Sequence, residues 1–329
     1  MRIAVDAMGG DFAPEEIIKG TLIAAETWPD LNLILVGQQE RIRPFLRKPV
    51  PDNISFVEAS EEIMMDEHPA NAVRKKKGAS IVVATGLVSL GKADAIVSAG
   101  STGAQMASAL LGLGRIKGIE RPAIVTILPT PEGGKLILDV GANLNASPEH
   151  LSQYAMMGNV YAEKILGIPN PRVGLLNVGS EETKGNELMK KTFSLLKVAP
   201  LNFIGNVEGR DVPHGRADVV VCDGFAGNVL LKTAEGVGEV LFELFKERIT
   251  SNIVRKLGAL AIKPGLKEIA HVLDYAEYGG APLLGVNGIS IICHGSSKSK
   301  SIYNAIRVAQ ECVQVRLIEQ IREDLPSKI

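Results

Sequence analysis

The stretch Arg2-Ile-Ala-Val-Asp-Ala-Met-Gly-Gly-Asp11 contains the pattern that decides this fold: a short apolar run ends at an aspartate, and a glycine-bearing loop follows. The pattern recurs at Asp139-Val-Gly-Ala-Asn-Leu-Asn145, Asn177-Val-Gly-Ser-Glu-Glu-Thr-Lys-Gly-Asn186 and Asp223-Gly-Phe-Ala-Gly-Asn228. In open α/β sheets, ligands bind at the carboxyl ends of the strands, where glycine lets backbone N–H groups approach an anion. Four such loops predict one shared cleft for an anionic small ligand.

The composition is that of a folded α/β enzyme. The 329 residues are 46% hydrophobic, 22% charged and only 4% aromatic, which favours an aliphatic core over disorder. With 36 basic and 37 acidic residues, the net charge of −1 gives no sign of a nucleic-acid partner. The chain starts with a strand pattern instead of a signal peptide, and no apolar stretch reaches about 20 residues. We therefore expect a cytoplasmic protein.

The three cysteines, Cys222, Cys293 and Cys312, are too scattered for a disulfide framework and lack the spacing of zinc ligands. Two of them close apolar runs, where buried thiols are common. We expect all three to be structural.

Apolar runs of strand length alternate with helical patterns, which predicts a largely parallel sheet covered on both faces. Residues 129–134 carry two prolines and two glycines between two such runs, which predicts an antiparallel hairpin and hence a mixed sheet. The predicted strands are 3–6, 33–37, 54–57, 95–98, 123–128, 136–140, 173–178, 202–206, 219–222 and 289–293.

The absence of linkers and repeats predicts a single α/β domain over residues 1–329, with a helical excursion at about 235–278. Within the excursion, apolar residues at helical spacing lie beside lysines and arginines. One interpretation is a helical hairpin packed on the core or on a second subunit. The other is a membrane-facing tip, with Leu257 and Leu260 as contact candidates. Both hold if a dimer presents the tip.

Several common motifs are missing from the sequence. There is no phosphate loop of the nucleoside-triphosphatase type, and residues 112–118 miss the dinucleotide-binding spacing by one residue. No nucleophile elbow surrounds Ser101. These observations argue against nucleotide phosphoryl transfer and serine-hydrolase chemistry.

Lys184 occupies a position where a positive charge is usually unfavourable. It lies in or beside the first turn of a helix predicted over 183–196, where a cation opposes the helix dipole. An anion held between Lys184 and the N–H groups of residues 179–183 would reverse that penalty. Alternatively, the lysine only turns away from Glu181 and Glu182.

Hydroxyl-rich loops follow two other predicted strands. Ser101 and Thr102 open a helix, where they could cradle an anion or simply cap the helix. The run His294-Gly-Ser-Ser-Lys-Ser-Lys-Ser301 is more typical of a phosphate-binding loop than of a generic turn. His294 could act as a base or only end its strand.

Asparagines and aspartates complete the polar loops. The amides of Asn143, Asn145, Asn177 and Asn228 could stabilise an oxyanion in a transition state, or could hold tight turns. Asp6, Asp139 and Asp223 could bind a metal, but we prefer that they fix the loops by accepting backbone N–H bonds.

These phrases closely resemble the bacterial phosphate acyltransferase (PlsX) family. The resemblance runs from the first residue to about residue 309, and phrases of this length are specific. They are RIAVDAMGGDFAP within 1–14, DAIVSAGSTGAQ at 94–105, DVGANLNA at 139–146, LNVGSEETKGN at 176–186, FIGNVEGR at 203–210, DGFAGNVL at 223–230 and YGGAPLLGVNGISIICH at 278–294.

The resemblance implies an acyl-[acyl-carrier-protein]:phosphate acyltransferase, which makes acyl phosphate for the first acylation of phospholipid synthesis. It also implies a homodimeric three-layer α/β/α sandwich with a mostly parallel mixed sheet, similar to phosphotransacetylases and isopropylmalate-type dehydrogenases. Peripheral membrane association and contact with a downstream glycerol-3-phosphate acyltransferase are further expectations. No cofactor, metal or nucleic acid is expected.

Direct attack of phosphate on a thioester needs orientation and oxyanion stabilisation more than a strong base, which suits loops of Gly, Asn, Ser, Thr and Lys. The alternatives are a phosphotransacetylase-type enzyme using small acyl-CoA thioesters and a non-catalytic module that recruits carrier protein. The expected catalytic residues are Lys184, Asn228, Asp223 and His294. The expected substrate or phosphate ligands are Gly9, Gly10, Ser101, Thr102, Asn143, Asn145, Asn177, Gly179, Ser180, Ser296, Ser297 and Lys298.

Overall fold

A computed structural model describes residues 1–46, 49–252, 255, 258–259, 262, 264–265 and 277–325. Apolar runs form the strands, and all ten predicted strands are present with ends shifted by no more than two residues. The strands of the described chain are β1 (Arg2–Asp6), β2 (Asn32–Gly37), β3 (Ile54–Glu58), β4 (Ala95–Ser98), β5 (Ala123–Leu128), β6 (Lys135–Leu138), β7 (Val173–Asn177), β8 (Phe203–Glu208), β9 (Val219–Val221), β10 (Ala281–Leu284) and β11 (Ile289–Ile292).

Helices connect most of these strands, and several begin at a side-chain cap. The Ser147 hydroxyl and the Asn186 and Asp223 side chains each accept an N–H bond from the first turn of their helix. The helices of the described residues are α1 (Glu15–Thr27), α2 (Gln39–Ile42), α3 (Pro69–Lys75), α4 (Ser80–Ser89), α5 (Thr102–Gly112), α6 (Pro148–Lys164), α7 (Glu187–Val198), α8 (Gly224–Ile249), α9 (Ser299–Gln314) and α10 (Leu317–Asp324).

The strands form one mixed sheet in the order β3-β2-β1-β4-β11-β10-β5-β6-β9-β7-β8. The predicted hairpin is confirmed, because β5 and β6 pair antiparallel. Sequence reasoning missed β10, a four-residue strand that contains Pro282 and follows two glycines. It pairs antiparallel with both β11 and β5, and so joins the two halves of the sheet.

Helices cover both faces of the sheet, which confirms the three-layer α/β/α sandwich. One face packs against α1, α6, α7, α9 and α10 around the fully buried Tyr154 and Tyr161. The other face packs against α3, α4, α5 and the first part of α8. Aliphatic side chains dominate both interfaces, as the composition predicted.

The strand directions divide the polar loops between two ends of the sheet. β1, β2, β3, β4 and β11 are parallel and finish together at what we call the first end. Three successive antiparallel pairings, β11–β10, β10–β5 and β5–β6, then reverse the direction. β6, β7, β8 and β9 are therefore parallel to one another and finish at the opposite, second end. The prediction of one cleft shared by all four loops is wrong for a single chain.

α8 is the element that links the two ends. It begins at the second end after β9, and its first turns are packed on the sheet through Ala226, Leu230, Leu231 and Ala234. Beyond this segment, Val237, Val240, Leu241, Phe242, Leu244 and Phe245 are all exposed. The membrane-contact candidates Leu257 and Leu260 lie outside the described residues.

Among the described residues, no helix combines the length and apolarity that crossing a bilayer requires.

Candidate active site

Asp139 organises the loop that follows β6 at the second end. Its buried carboxylate accepts N–H bonds from Ile124, Gly141 and Ala142 on Oδ1, at 3.1, 3.2 and 3.0 Å. Oδ2 accepts a 2.6 Å bond from the N–H of Asn143. Burial raises the pKa of Asp139 although these four bonds oppose the rise. Asp139 therefore fixes the loop, as predicted, and its lone pairs are already committed to the backbone.

Asn143 connects this loop to the start of α8. Its Nδ2 donates a 2.6 Å bond to the carbonyl oxygen of Pro122, and its own carbonyl accepts a 2.9 Å bond from the N–H of Gly224. Asn143 thus holds two neighbouring loops in register. The side chain of Asn145 is exposed beside it.

Asp223 is the N-cap of α8. Its Oδ1 accepts N–H bonds of 3.0 and 2.9 Å from Phe225 and Ala226. The N–H of Gly227 donates to the Asp223 carbonyl oxygen at 3.0 Å. The structure therefore gives Asp223 a capping function, and the N–H groups of residues 224–227 all have protein acceptors.

Asn228 lies in the first turns of α8, directly over the Asp139 loop. Its Nδ2 donates a 3.0 Å bond to the carbonyl oxygen of Val140, and its second amide hydrogen has no acceptor among the residues that the structure describes. The close approach requires glycine at 227, because a Cβ there would lie 2.0 Å from the Asp139 carbonyl oxygen. The backbone thus positions one neutral donor at the mouth of the two loops.

The loop after β7 presents unsatisfied donors. Asn177 closes it by donating from Nδ2 to the Lys184 carbonyl at 3.1 Å and by accepting the N–H of Val178 at 2.8 Å. The N–H groups of residues 179–183 have no acceptor among the described residues. The exposed Lys184 ammonium likewise makes no hydrogen bond or ion pair with that part of the protein. Free amides and a free cation are what an anion needs.

The helix after this loop begins later than predicted. α7 starts at Glu187 with Asn186 as its N-cap, so residues 183–186 are not helical. Gly185 has φ +89°, a conformation that ends any helical run into α7 from the loop. Lys184 therefore lies before the helix, in the loop itself, and Gly179 is buried against its side-chain carbons.

The second-end loops are neighbours. β9 lies between β6 and β7 in the sheet, so the loop of Lys184 is about two strand spacings, roughly 10 Å, from the Asp139 loop. Asn228 lies in the first turns of α8, the helix that follows β9. The second end therefore combines the loops of Asn143, Asn145, Asn177, Gly179, Ser180, Lys184, Asp223 and Asn228.

The first end holds a separate polar cluster. Asp6 accepts the N–H of Met8 at 3.1 Å and the Ser98 hydroxyl at 2.7 Å, and burial raises its pKa. Gly9 is needed for close approach, since a Cβ there would lie 2.7 Å from the nitrogen of Gly100. Asp6, like Asp139 and Asp223, fixes its loop by accepting backbone N–H bonds.

Ser101 and Thr102 open α5 at the first end. The Ser101 hydroxyl accepts the N–H of Ala104 at 3.4 Å, which is the capping interpretation. Gly10, with φ +113°, brings this cluster against the carbonyl oxygen of Gly295 in the loop after β11. The first-end loops are thus packed together.

The His294 loop belongs to this first end. The N–H of Ser296 donates to His294 Nδ1 at 3.2 Å, and the Ser296 hydroxyl lies 2.7 Å from the same nitrogen. Ser297 is buried, and Lys298 Nζ lies 5.7 Å from the centre of the Phe12 ring. None of these residues is near the Lys184 loop within one chain.

A cavity of about 520 Å³ opens at the second end, beside Asn143. The nearest sequence signal was a pair of arginines just before β5. The lining residues are Leu110, Arg115, Glu120, Arg121, Pro122 and His150.

All three cysteines are buried and free. Burial raises their thiol pKa values, that of Cys293 to about 12. The prediction of structural thiols agrees with this environment.

Comparison with known proteins identifies the family. The family model described as "Fatty acid synthesis protein" matches residues 1–320. The phosphate acyltransferase of Desulfitobacterium hafniense is 70% identical over 328 residues, covering 99% of this chain and 98% of that protein. The phosphate acyltransferase of Heliobacterium modesticaldum is 60% identical, covering 100% and 99%. The chain belongs to this phosphate acyltransferase (PlsX) family and is an acyl-group transferase.

The fold has relatives among solved structures. A phosphotransacetylase from Streptococcus pyogenes superposes with a TM-score of 0.62 at 19% identity, covering 97% of this chain and 94% of that one. At this identity the similarity concerns the fold alone. It confirms the predicted likeness to phosphotransacetylase folds.

Proposed function

We propose that the chain transfers an acyl group from acyl-[acyl-carrier-protein] to inorganic phosphate, giving acyl phosphate for phospholipid synthesis. Family membership supports the reaction class. The observation that carries the chemistry is the loop after β7, where the N–H groups of residues 179–183 and the Lys184 ammonium make no hydrogen bond within the described part of the chain. Such a cluster of donors binds a phosphate anion.

In the proposed reaction a phosphate oxygen attacks the thioester carbonyl carbon, and the C=O electron pair moves to the oxygen. The oxyanion then collapses, the C–S bond breaks, and the thiolate leaves with the electron pair of that bond. The thiolate takes a proton from solvent. Phosphate is already anionic near neutral pH, and a thiol with a pKa of about 8.5 is a good leaving group, so no strong base or acid is needed.

Asn228 is the proposed oxyanion donor, because its Nδ2 has one hydrogen not bonded to the Val140 carbonyl. The N–H groups of residues 224–227 are not available for this role. All four already donate to acceptors in the protein. Asn145 and Ser180 are also exposed in the site and remain candidate substrate ligands.

The first-end residues would reach this site only from a second copy of the chain. α8 begins at the second end, passes close enough to His294 for that ring to lower the pKa of Glu235, and leaves an apolar face uncovered. Desolvation is the larger effect on that pKa and raises it, although the Glu235 side chain is exposed. Two α8 helices packed antiparallel across a two-fold axis would cover this face. They would bring the second end of one copy towards the first end of its partner.

In this homodimer, Gly9, Gly10, Ser101, Thr102, His294, Ser296, Ser297 and Lys298 would approach phosphate from the partner. We propose in addition that the protein is cytoplasmic and peripherally membrane-associated, so that acyl phosphate can reach a downstream glycerol-3-phosphate acyltransferase. Leu257 and Leu260 remain the membrane-contact candidates.

The proposed function is tested with purified protein and two thioesters. Palmitoyl-carrier protein and acetyl-CoA are supplied separately, with and without phosphate, and both free thiol and acyl phosphate are measured. We expect phosphate-dependent release from the carrier protein, with far slower release from acetyl-CoA. The reverse preference would support the phosphotransacetylase alternative, and no phosphate-dependent release from either would contradict the proposal.

A further inference from the structure

The cavity at the second end has the charge of an anion site. Arg115 and Arg121 line it, and Leu110 and Pro122 supply an apolar wall. The carboxylate in the cavity, Glu120, is 59% exposed and lies 3.1 Å from His150 Nε2. Two guanidinium groups therefore face one carboxylate that already has a partner.

The loop that carries the arginines is held rigidly. Gln153 accepts the N–H of Glu120 at 2.9 Å and donates to the Gly118 carbonyl at 3.1 Å. The guanidinium of Arg115 donates to the Glu120 carbonyl oxygen, and its backbone carbonyl accepts from Asn287 at 2.7 Å. The cavity is therefore formed before any ligand binds.

His150 contributes a fixed ring. Its Nδ1 accepts the N–H of Ser147 at 3.0 Å, which places the proton of the neutral ring on Nε2. Nε2–H then donates to Glu120, and this bond holds the carboxylate on the rim. Arg121, by contrast, makes no hydrogen bond or ion pair with the described residues, so its fork of donors is available.

The cavity adjoins the loops of the proposed acyl transfer. The carbonyl oxygen of Pro122, a lining residue, accepts the 2.6 Å bond from Asn143 Nδ2. Asn143 in turn accepts the N–H of Gly224 at the start of the helix that carries Asn228. The cavity wall is thus connected through Asn143 to the helix that carries Asn228.

The size of the cavity limits the ligand. At roughly 30 Å³ per water molecule, a volume of about 520 Å³ corresponds to on the order of 15 waters. An inorganic phosphate ion would fill only a small part of it. An extended, uncharged chain that ends in a phosphate ester would use the apolar wall, the volume and the arginines together.

We propose that this cavity binds the phosphorylated arm that carries the acyl thioester, with Arg121 and Arg115 on the phosphate ester and the thioester end directed towards Asn143. The ligand has the chemistry of phosphopantetheine. This inference rests on the proposed function, because it assigns the thioester substrate of the same site.

The test compares two probes that differ by one phosphate group, 4′-phosphopantetheine and pantetheine, by calorimetric titration. The wild-type chain should bind the phosphorylated probe about tenfold or more tightly, because a hydrogen bond between charged groups is lost with the phosphate. Arg121→Gln should bring the ratio of the two Kd values close to one. Lys117→Gln removes the same charge from the same exposed loop outside the cavity lining, and should leave the ratio unchanged.

An equal affinity of the wild-type chain for both probes would overturn the assignment, and so would an unchanged ratio in Arg121→Gln. A higher KM for inorganic phosphate in Arg121→Gln, with the ratio unchanged, would assign the cavity to phosphate and also overturn it. The proposed acyl transfer and the proposed ligand of the cavity are contradicted by different results. Loss of phosphate-dependent thiol release in the wild-type chain would contradict the function, whereas the Kd ratio reports on the cavity alone.

Discussion

Asn228 donates a hydrogen bond from Nδ2 to the carbonyl oxygen of Val140, 3.0 Å away, and so joins the first turns of α8 to the loop after β6. This bond fixes the direction of the side chain, and the second hydrogen on Nδ2 has no acceptor in the described part of the chain. A neutral donor held in this way stabilises an oxyanion that appears only in the transition state, without trapping the ground-state thioester.

Replacing Asn228 by Asp should therefore lower kcat on the order of 100-fold or more, with little change in the KM for either substrate. The side chain keeps its size but loses its donor, and a carboxylate repels an oxyanion. Steady-state kinetics of phosphate-dependent thiol release measure both constants. A wild-type kcat in a folded Asn228→Asp variant would remove this residue from the reaction.

The packing of α8 against the loop after β6 also requires glycine at position 227. Gly227→Ala places a Cβ 2.0 Å from the Asp139 carbonyl oxygen, so α8 must move and both stability and activity should fall. Gly236→Ala on the same helix is the matched control. It meets no described atom within 4 Å and should raise stability by about 0.5–1 kcal/mol through helix propensity. Urea unfolding of the two variants checks the contrast, and equal effects would contradict it.

A buried ion pair supports the second half of the sheet. Lys135 Nζ lies 2.9 Å from Asp218 Oδ1, and Arg172 Nε lies 2.9 Å from Asp218 Oδ2. Burial alone would raise the pKa of Asp218, but the bonds from Arg172 and Lys135 outweigh it and lower the pKa well below its usual range. Asp218→Asn leaves the Lys135 charge buried without a counter-charge, which costs about 3–5 kcal/mol.

The lowered pKa also fixes the sign of the pH dependence. A carboxyl group with a lower pKa in the folded state stabilises the protein above its unfolded pKa of about 3.9, and this contribution is lost as pH falls below that value. Urea midpoints between pH 7 and pH 3 should fall more steeply for the wild-type chain than for Asp218→Asn. Glu187→Gln, which breaks only the exposed pair with Lys191, serves as the control. Parallel pH profiles for wild type and Asp218→Asn would contradict the assignment.

If two copies of the chain each contribute residues to one active site, two inactive variants should complement each other. If Lys184 of one copy works with Lys298 of the partner, Lys184→Ala and Lys298→Ala should each lose most activity. The mixture obtained by refolding the two together should recover about a quarter of wild-type activity, because about half of its dimers are mixed and each of these has one complete site of two. Recovery of no activity in a mixture shown to contain mixed dimers would contradict the shared site.

The local parts of the fold were readable from the sequence, and the global direction of the strands was harder to read. Apolar runs located ten strands, and the caps Ser147 and Asp223 lie where polar residues precede helical patterns. Ala281–Leu284 was missed because proline and flanking glycines weaken a four-residue strand signal. That short strand takes part in two of the three antiparallel pairings that separate the loops.

Only part of the site was predicted, because the direction of the strands decides which loops lie at the same end of the sheet. Lys184 and Asn228 are at one end of the sheet, but His294 and Lys298 are at the other, because pairing direction depends on contacts distant in sequence. The β5–β6 hairpin was predicted, and it makes β6, with its parallel neighbours β9 and β7, run opposite to β5. Nor can a sequence reveal which N–H groups have acceptors, and this distinguishes residues 179–183 from residues 224–227.

The most direct test of phosphate binding at the loop after β7 is the KM for inorganic phosphate in Lys184→Ala, with Lys190→Ala on the exposed face of α7 as the matched control. The loss of a charge-assisted bond should raise this KM about tenfold or more in Lys184→Ala, or abolish turnover, while the folded state is retained. Lys190→Ala should keep the wild-type value. A wild-type KM for phosphate and wild-type turnover in Lys184→Ala would contradict the proposed phosphate site.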